Sequence, residues 1–407
     1  MQGKENFSVV LLTNWYNQHQ SALAEALYRM IGDRFTFIAT EHSKTIKTIG
    51  VDFSVPFLRM MPAEGEQYNA CRNLINCADV VIIGMAPDRL ITDRLKAGKL
   101  TFRASERFYK EKPTLWNYPH HLAGAWRHHR RFLHYPLYML CASAYTAADC
   151  RRFGSYRNKT YQWGYFPMVK EYPDIDAIVK GKKHNQIVWC GNIIELKHPE
   201  KPILVAKRLA SEHIDFELTM IGTGALLPQM QRMIAENGLS ERVSLLGTMP
   251  NTDVRRHMEE ARCFLFTSDR REGWGAVLNE AMNSGCAVVA GHEIGSVPYL
   301  IKHRENGLIY RDDDFNDLYE KTKWVLEHPD ACEAMGRQAY YTMKNDWNAE
   351  VAAERFLALA QAILKGEESP DLFADGVCRR AECLEDEWFH EESYVCDPQE
   401  VESVSCE

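Results

Sequence analysis

Two carboxylates open the chemical reading, Glu272 and Glu280, within residues 269–291, DRREGWGAVLNEAMNSGCAVVAG. An apolar run at 263–266 precedes them, and a tight loop, Gly273-Trp274-Gly275, follows the first of them. Residues 276–283 favour a helix that Gly285 can cap, and a second apolar run follows at 286–290. Strand, loop, helix, strand is one βαβ unit of a parallel sheet. Where the loop enters the helix, the amides of Gly275, Ala276, Val277 and Leu278 would lack partners within the helix. A phosphate suits such amides, and the glycines let the backbone come close to a ligand. Acids beside a phosphate are poor phosphate ligands, so the two glutamates fit sugar hydroxyls better. A diphosphate with a sugar at each end, that is a nucleotide-sugar, satisfies both demands. The plain alternative is an ordinary βαβ unit with two solvated glutamates.

This stretch resembles the glutamate-pair motif of retaining glycosyltransferase family 4, the glycosyl transferases group 1 of bacterial surface-polysaccharide type. The resemblance implies a GT-B fold, with Glu280 on the ribose hydroxyls and Glu272 on the transferred sugar. Trp274, Gly273 and the amides from Gly275 onward would line the donor. The strand candidate 187–190 leads to Gly191, with Lys197 six positions on, and these match the family's glycine and its diphosphate-holding lysine. Asn192 stands where the family has an arginine. Residues 216–221 lead into Gly222-Thr223-Gly224, and 243–246 into Gly247 and Met249. In the family these turns receive the nucleotide and its base. The triplet 312–314 could suggest a metal, but a helix N-terminus at Asp314 explains it better. The reading therefore carries no metal and no cofactor; the nucleotide-sugar is substrate.

These residues need elements to hold them. In the first half, strand candidates at 7–12, 35–39, 79–85, 100–104, 138–142 and 160–163 alternate with helical segments. That alternation makes an open parallel α/β sheet, whose ligands lie beyond the strand carboxyl ends. His19 stands there, before a helix expected over 22–30 with Ser21 as cap, free to orient a sugar or move a proton, or simply to hydrogen-bond at a helix end. Glu106 also stands there, as a general base for an acceptor hydroxyl or as an ion-pair partner of Arg103 or Arg107. Members of the family often have a glycine turn after the first strand and a histidine after the mid-domain strand. Here the first loop is glycine-free, and Ser105-Glu106-Arg107 takes the second place. In residues 116–138, Arg127, Arg130 and Arg131 lie among histidines and aromatics. Such a face suits an anionic membrane surface or a lipid-diphosphate acceptor, or is a solvated basic helix.

At 407 residues and 45% apolar content, the chain should form two or three globular domains. The divisions expected are a Rossmann-like acceptor domain over 1–172, a linker over 173–183, a Rossmann-like donor domain over 184–345 and a crossover helix over 346–365. An acidic, disordered tail is expected over 366–407. That tail holds 14 acids against two bases, so the remaining residues carry 46 bases against 42 acids and the overall −8 hides a mildly basic body. Cys378, Cys383, His390 and Cys396 have no recognised zinc spacing, and the other cysteines in apolar runs read as reduced thiols. With no apolar run of membrane-spanning length and no signal peptide, a cytoplasmic site is expected, with contact to the inner membrane face through 127–131. Nucleic acid is not an expected partner. The function expected is transfer of a sugar from a nucleotide-sugar to a lipid-linked or cell-surface glycan acceptor with retention. Alternatives are a GT-B epimerase, a phosphorylase, or a non-catalytic nucleotide-sugar binder.

Overall fold

The computed structural model describes residues 6–41, 52–112, 114, 116 and 118–390. Cys396 and residues 391–407 of the tail lie outside the described residues. Two sheets organise the rest, and every strand pair in them is parallel. The first holds β1 (Val9–Thr13), β2 (Phe35–Ala39), β3 (Leu58–Met60), β4 (Val80–Ile83), β5 (Thr101–Ser105), β6 (Leu137–Cys141) and β7 (Thr160–Gln162), ordered β3-β2-β1-β4-β5-β6-β7. The second holds β8 (Lys183–Cys190), β9 (Glu217–Ile221), β10 (Val243–Leu245), β11 (Ala261–Phe266), β12 (Ala287–Gly291) and β13 (Leu308–Tyr310), ordered β10-β9-β8-β11-β12-β13. Helices cover both faces of such sheets, so their inner strands are apolar at every position rather than at alternate ones. β1, β4, β6, β11 and β12 are buried along their whole lengths.

The helix Ala349–Leu364 returns from the second sheet to the first. Phe356 packs edge-on against Phe102 of β5, ring centroids 5.0 Å apart, and against Trp163 at 5.9 Å. Asn348 starts this helix by accepting the Val351 amide at 2.9 Å. One apolar core runs through both domains, joining Phe37 and Phe102 to Phe264 and Trp274.

Three local expectations change. The helix Gln18–Ile31 begins earlier than the apolar spacing suggested, because Asn17 is its cap and its side chain accepts the His19 amide at 2.9 Å. His19 therefore sits in the first turn of a helix. Edge strand β3 was not anticipated; with three residues and one apolar buried position it gives little periodicity. The tail is the largest correction, since residues 366–390 are packed on the body. Val377, Cys378 and Phe389 are buried. Gln162 of β7 donates to the Arg379 carbonyl at 2.7 Å and accepts from Cys378 at 2.9 Å, and Tyr161 forms an antiparallel bridge with Arg380. Its acidity suggested disorder, but these acids have partners: Glu385, for one, accepts from Arg151 at 2.6 Å.

Candidate active site

The carboxyl ends of the two sheets face each other. The loop after β5 carries Glu106 onto Gly273 of the loop after β11, where a Cβ would overlap the carboxylate. The loop after β6 meets the loop after β12: Ala144 donates to the Gly295 carbonyl at 2.9 Å.

On the second-domain side, β8, β9 and β10 run out into Gly191, Gly222 and Gly247. Gly191 donates to the Ile221 carbonyl at 3.0 Å and Gly222 to the Gly247 carbonyl at 2.9 Å. Gly222 has φ +139°, and any side chain there would run into the Gly191 carbonyl. The result is a floor of main chain, which at Gly222 and Gly247 takes a positive φ that favours glycine. Asn192 and Thr223 are exposed at its edge, and Met249 is half-buried.

Lys197 and Glu272 form an ion pair, both largely buried. Their loops are pinned together. Thr267 donates its hydroxyl to the Lys197 carbonyl at 2.8 Å and accepts from the Trp189 indole at 2.9 Å, while Asp269 donates its amide to Leu196 at 3.0 Å. Ser268 donates to the Glu272 carboxylate at 3.1 Å. His198 lies 3.2 Å from Asp269 and 2.7 Å from Glu200, and its hydrogen bonds to those two acids push it up to about 9. Glu280 accepts from the Asn251 amide at 2.8 Å; burial pushes its carboxyl up, against that hydrogen bond.

The helix entrance is narrower than its sequence suggested. The helix Val277–Asn283 has seven residues, and the Leu278 amide donates to the Gly275 carbonyl at 2.9 Å. Among the described residues, the amides of Gly275, Ala276 and Val277 take no backbone acceptor. Gly275 has φ +79° and lies on the Phe266 ring. Trp274 is buried in the core, its indole donating to Asn279 at 2.9 Å and its ring filling the space over Gly164. The Leu278 side chain is buried too. The Trp274 and Leu278 side chains thus pack into the core shared by the two domains, and Gly273 lies against Glu106.

On the first-domain side, Glu106 does not pair with Arg103 or Arg107. It accepts from Lys110 at 2.6 Å and from the Tyr165 hydroxyl at 2.7 Å. Burial and the Glu106 charge push that hydroxyl far up, so Tyr165 is a donor at every ordinary pH. The Tyr165 ring stacks on His19, centroids 6.2 Å apart and 20° between planes. Burial pulls the His19 imidazole down, and its Nδ1 has no partner among the described residues. His19, Tyr165 and Glu106 are therefore one continuous group, and Glu106 carries it to the loop holding Glu272. Sequence reasoning missed Tyr165, Thr267 and Ser268. Tyr165 stood in a stretch read only as a domain boundary, and serine and threonine beside a strand end give no spacing signal.

Arg127 and Arg130 are exposed beside Trp126, which is 62% exposed, and Trp116 is 95% exposed. Asp88 neutralises part of the basic cluster, lying 2.9 Å from His128 and 3.4 Å from Arg131. Asp314 caps the helix Phe315–Glu327, accepting from Asp317 at 3.0 Å. Among the described residues, no three of His, Cys, Asp or Glu are grouped to hold a metal, and no helix is long and apolar enough to cross a membrane.

Two facing parallel-sheet domains with a returning terminal helix make this a GT-B fold. It is similar to Alr3699/HepE of Anabaena in complex with UDP, with a TM-score of 0.67 at 13% identity, over 88% of this chain and 100% of that one. Residues 173–342 match the family model Glycosyl transferases group 1, so the second half of the chain carries that domain. Two curated relatives match parts of the chain. One is the amylovoran biosynthesis glycosyltransferase AmsK of Erwinia amylovora, 36% identical over 25% of this chain and 26% of its own length. The other is the N-acetylgalactosamine-N,N'-diacetylbacillosaminyl-diphospho-undecaprenol 4-alpha-N-acetylgalactosaminyltransferase of Campylobacter jejuni, 31% identical over 30% of this chain and 33% of its own length. This chain thus spans a third or less of those two relatives.

Proposed function

We propose that the protein is a glycosyltransferase that moves a sugar from a nucleoside-diphosphate donor to a hydroxyl acceptor with retention of configuration. The observation that carries this is the Lys197–Glu272 pair at the edge of the Gly191–Gly222–Gly247 floor. An ammonium and a carboxylate side by side match a ligand that is anionic at one atom and hydroxylated at the next. A bound diphosphate would take the ammonium, releasing Glu272 to the sugar hydroxyls. Glu280 would hold the ribose, and the amides of Ala276 and Val277 would meet the phosphate. The UDP bound by Alr3699/HepE supports a nucleotide donor, and the names of both relatives support glycosyl transfer.

Catalysis in this reading is electrostatic: Lys197 and the helix-entrance amides stabilise charge gathering on the departing diphosphate. That phosphate helps deprotonate the acceptor hydroxyl, which Glu106, Tyr165 and His19 orient from the other domain. No metal is required, so a chelator should leave turnover unchanged. The acceptor is a lipid-linked or cell-surface glycan, reached at an anionic membrane face by Trp116, Trp126, Arg127 and Arg130.

A nucleotide-sugar panel read by thermal shift identifies the donor, since a tight ligand raises the melting temperature by mass action. With that donor, Glu272→Ala should lower kcat by about a hundredfold or more, a loss on the scale of one transition-state contact. Unchanged turnover removes Glu272 from the sugar. Consumption of donor without acceptor would indicate an epimerase, and binding without consumption a non-catalytic receptor.

A further inference from the structure

Arg107 and Arg270 come from opposite domains, and each adjoins a residue of the proposed transfer site. Arg107 follows Glu106, and Arg270 precedes Glu272 by two positions. Both are more than nine-tenths buried, at 4% and 7% exposure. Among the described residues, Nε and Nη1 of Arg107 and all three nitrogens of the Arg270 guanidinium lack a hydrogen-bond acceptor. The Arg107 guanidinium lies over the Tyr145 ring, 4.6 Å from its centroid. Burial and the neighbouring Arg107 charge pull Arg270 below its usual range. Two sparsely satisfied guanidiniums in one dry place form a built anion site.

The anion present belongs to the chain itself. Asp386 accepts from Arg107 Nη2 at 2.8 Å, and its second oxygen lies 3.3 Å from Arg270 Nη2. Burial alone would raise this carboxyl; the Arg107 hydrogen bond and charge outweigh it and hold it below the usual carboxylate range. Two other acids act on Arg270 from further off. Asp149 is engaged by the amide of Phe108 at 2.8 Å, and Glu293 faces Lys112 at 3.6 Å. The flanking tail residues fix Asp386 in place. Trp388 donates to the Tyr145 hydroxyl at 2.9 Å, and Phe389 is buried against the His303 ring, 5.1 Å away.

We propose that Asp386 is a positioning residue: as the resident anion of the Arg107–Arg270 site, it ties the loop bearing Glu106 to the loop bearing Glu272. The proposal rests on the transfer reading above. Its physical basis is that two arginines repel unless an anion stands between them, and each is covalently two residues or fewer from a group that must meet the substrate. Losing the carboxylate parts the loops and misplaces acceptor against donor, while the glycine floor that binds nucleotide lies elsewhere. Loss of alignment lowers the rate of the bound complex more than its affinity.

The test is chemical rescue in the full chain. Asp386→Ala leaves a carboxylate-sized space between two guanidiniums, which formate can fill. Donor turnover, affinity for the best-stabilising of UDP, GDP and ADP, and melting temperature are measured with and without sodium formate. In Asp386→Ala, kcat should fall about tenfold or more while nucleotide affinity stays within about twofold. Formate should raise kcat and melting temperature of Asp386→Ala and of neither the native chain nor the Asp386→Ala/Arg270→Gln double variant. Unaltered kcat, or a deficit that formate does not touch, overturns the proposal. If the native chain consumes no nucleotide-sugar at all, the positioning role falls together with the transfer reading. If it does and Asp386→Ala loses nothing, the positioning role alone falls.

Discussion

The two faces of the cleft are built from different materials. The floor of the second-domain face is main chain: Gly191, Gly222 and Gly247 laced by backbone hydrogen bonds, with Gly275 at the helix entrance and the Lys197 and Glu272 side chains at its edge. The first-domain face is side chain: His19 stacked on Tyr165, and Tyr165 hydrogen-bonded to Glu106. A main-chain surface offers fixed dipoles at close range and suits a ligand part that never changes, a diphosphate or ribose. A side-chain surface can be re-specified one residue at a time and suits the part that varies, an acceptor. Substitutions on the two faces should therefore fail in different ways.

The broadest effect, on folding and binding together, is expected on the main-chain face. Gly222→Ala places a Cβ against the Gly191 carbonyl in a backbone region that side chains avoid. The strain is on the order of 1–3 kcal/mol, and the two turns must separate. Nucleotide binding should weaken more than about tenfold, with a lower melting temperature. Calorimetry with the preferred nucleotide would settle it; near-native affinity would mean that the floor is not the nucleotide's seat.

On the side-chain face, Glu106→Gln should keep the Tyr165 and Gly273 contacts in shape while removing the charge. The expected result is a kcat lower by about a hundredfold, in the range for a lost acid–base or orienting group, with nucleotide affinity intact. A fall in nucleotide affinity equal to the fall in kcat would erase the distinction between the faces.

The same contrast governs how much could be read from the sequence. Glycine is required where backbone must approach backbone or ligand, so the Gly191, Gly222 and Gly247 turns announce themselves at strand ends. Buried parallel strands such as β1, β4 and β11 are continuous apolar runs and were placed to within one or two residues. Local charge gave the Asp314 cap. What stayed hidden depends on distant partners. Trp274 looked like a loop aromatic near a ligand, but Gly164, some 110 positions away in the chain, leaves it a core cavity. Tyr165 gains its role only when folding brings Glu106 and His19 to it. The tail read as disordered because composition counts its acids and cannot count arginines on another domain. Two buried arginines and a few apolar residues, Val377, Cys378 and Phe389, are among the contacts that dock its first part, residues 366–390.

The smallest effect sharpens the comparison from within the main-chain face, through a histidine that braces it. His198 follows Lys197 directly and holds Asp269, three residues before Glu272. Its hydrogen bonds to Asp269 and Glu200 raise it from 6.5 to about 9. A raised histidine stabilises the fold fully below its unfolded value and loses that contribution as pH climbs through the folded one. The brace should therefore be whole below about pH 6.5 and released towards pH 9. Lys197 and Glu272 should then lose alignment, so KM for the donor should rise and kcat should fall together over that window. His198→Gln removes the titration, so its melting temperature and donor KM should be flat where the native values drift. Parallel alkaline drifts in both proteins would place the titrating group elsewhere, and the main-chain face would then owe none of its geometry to a protonated side chain.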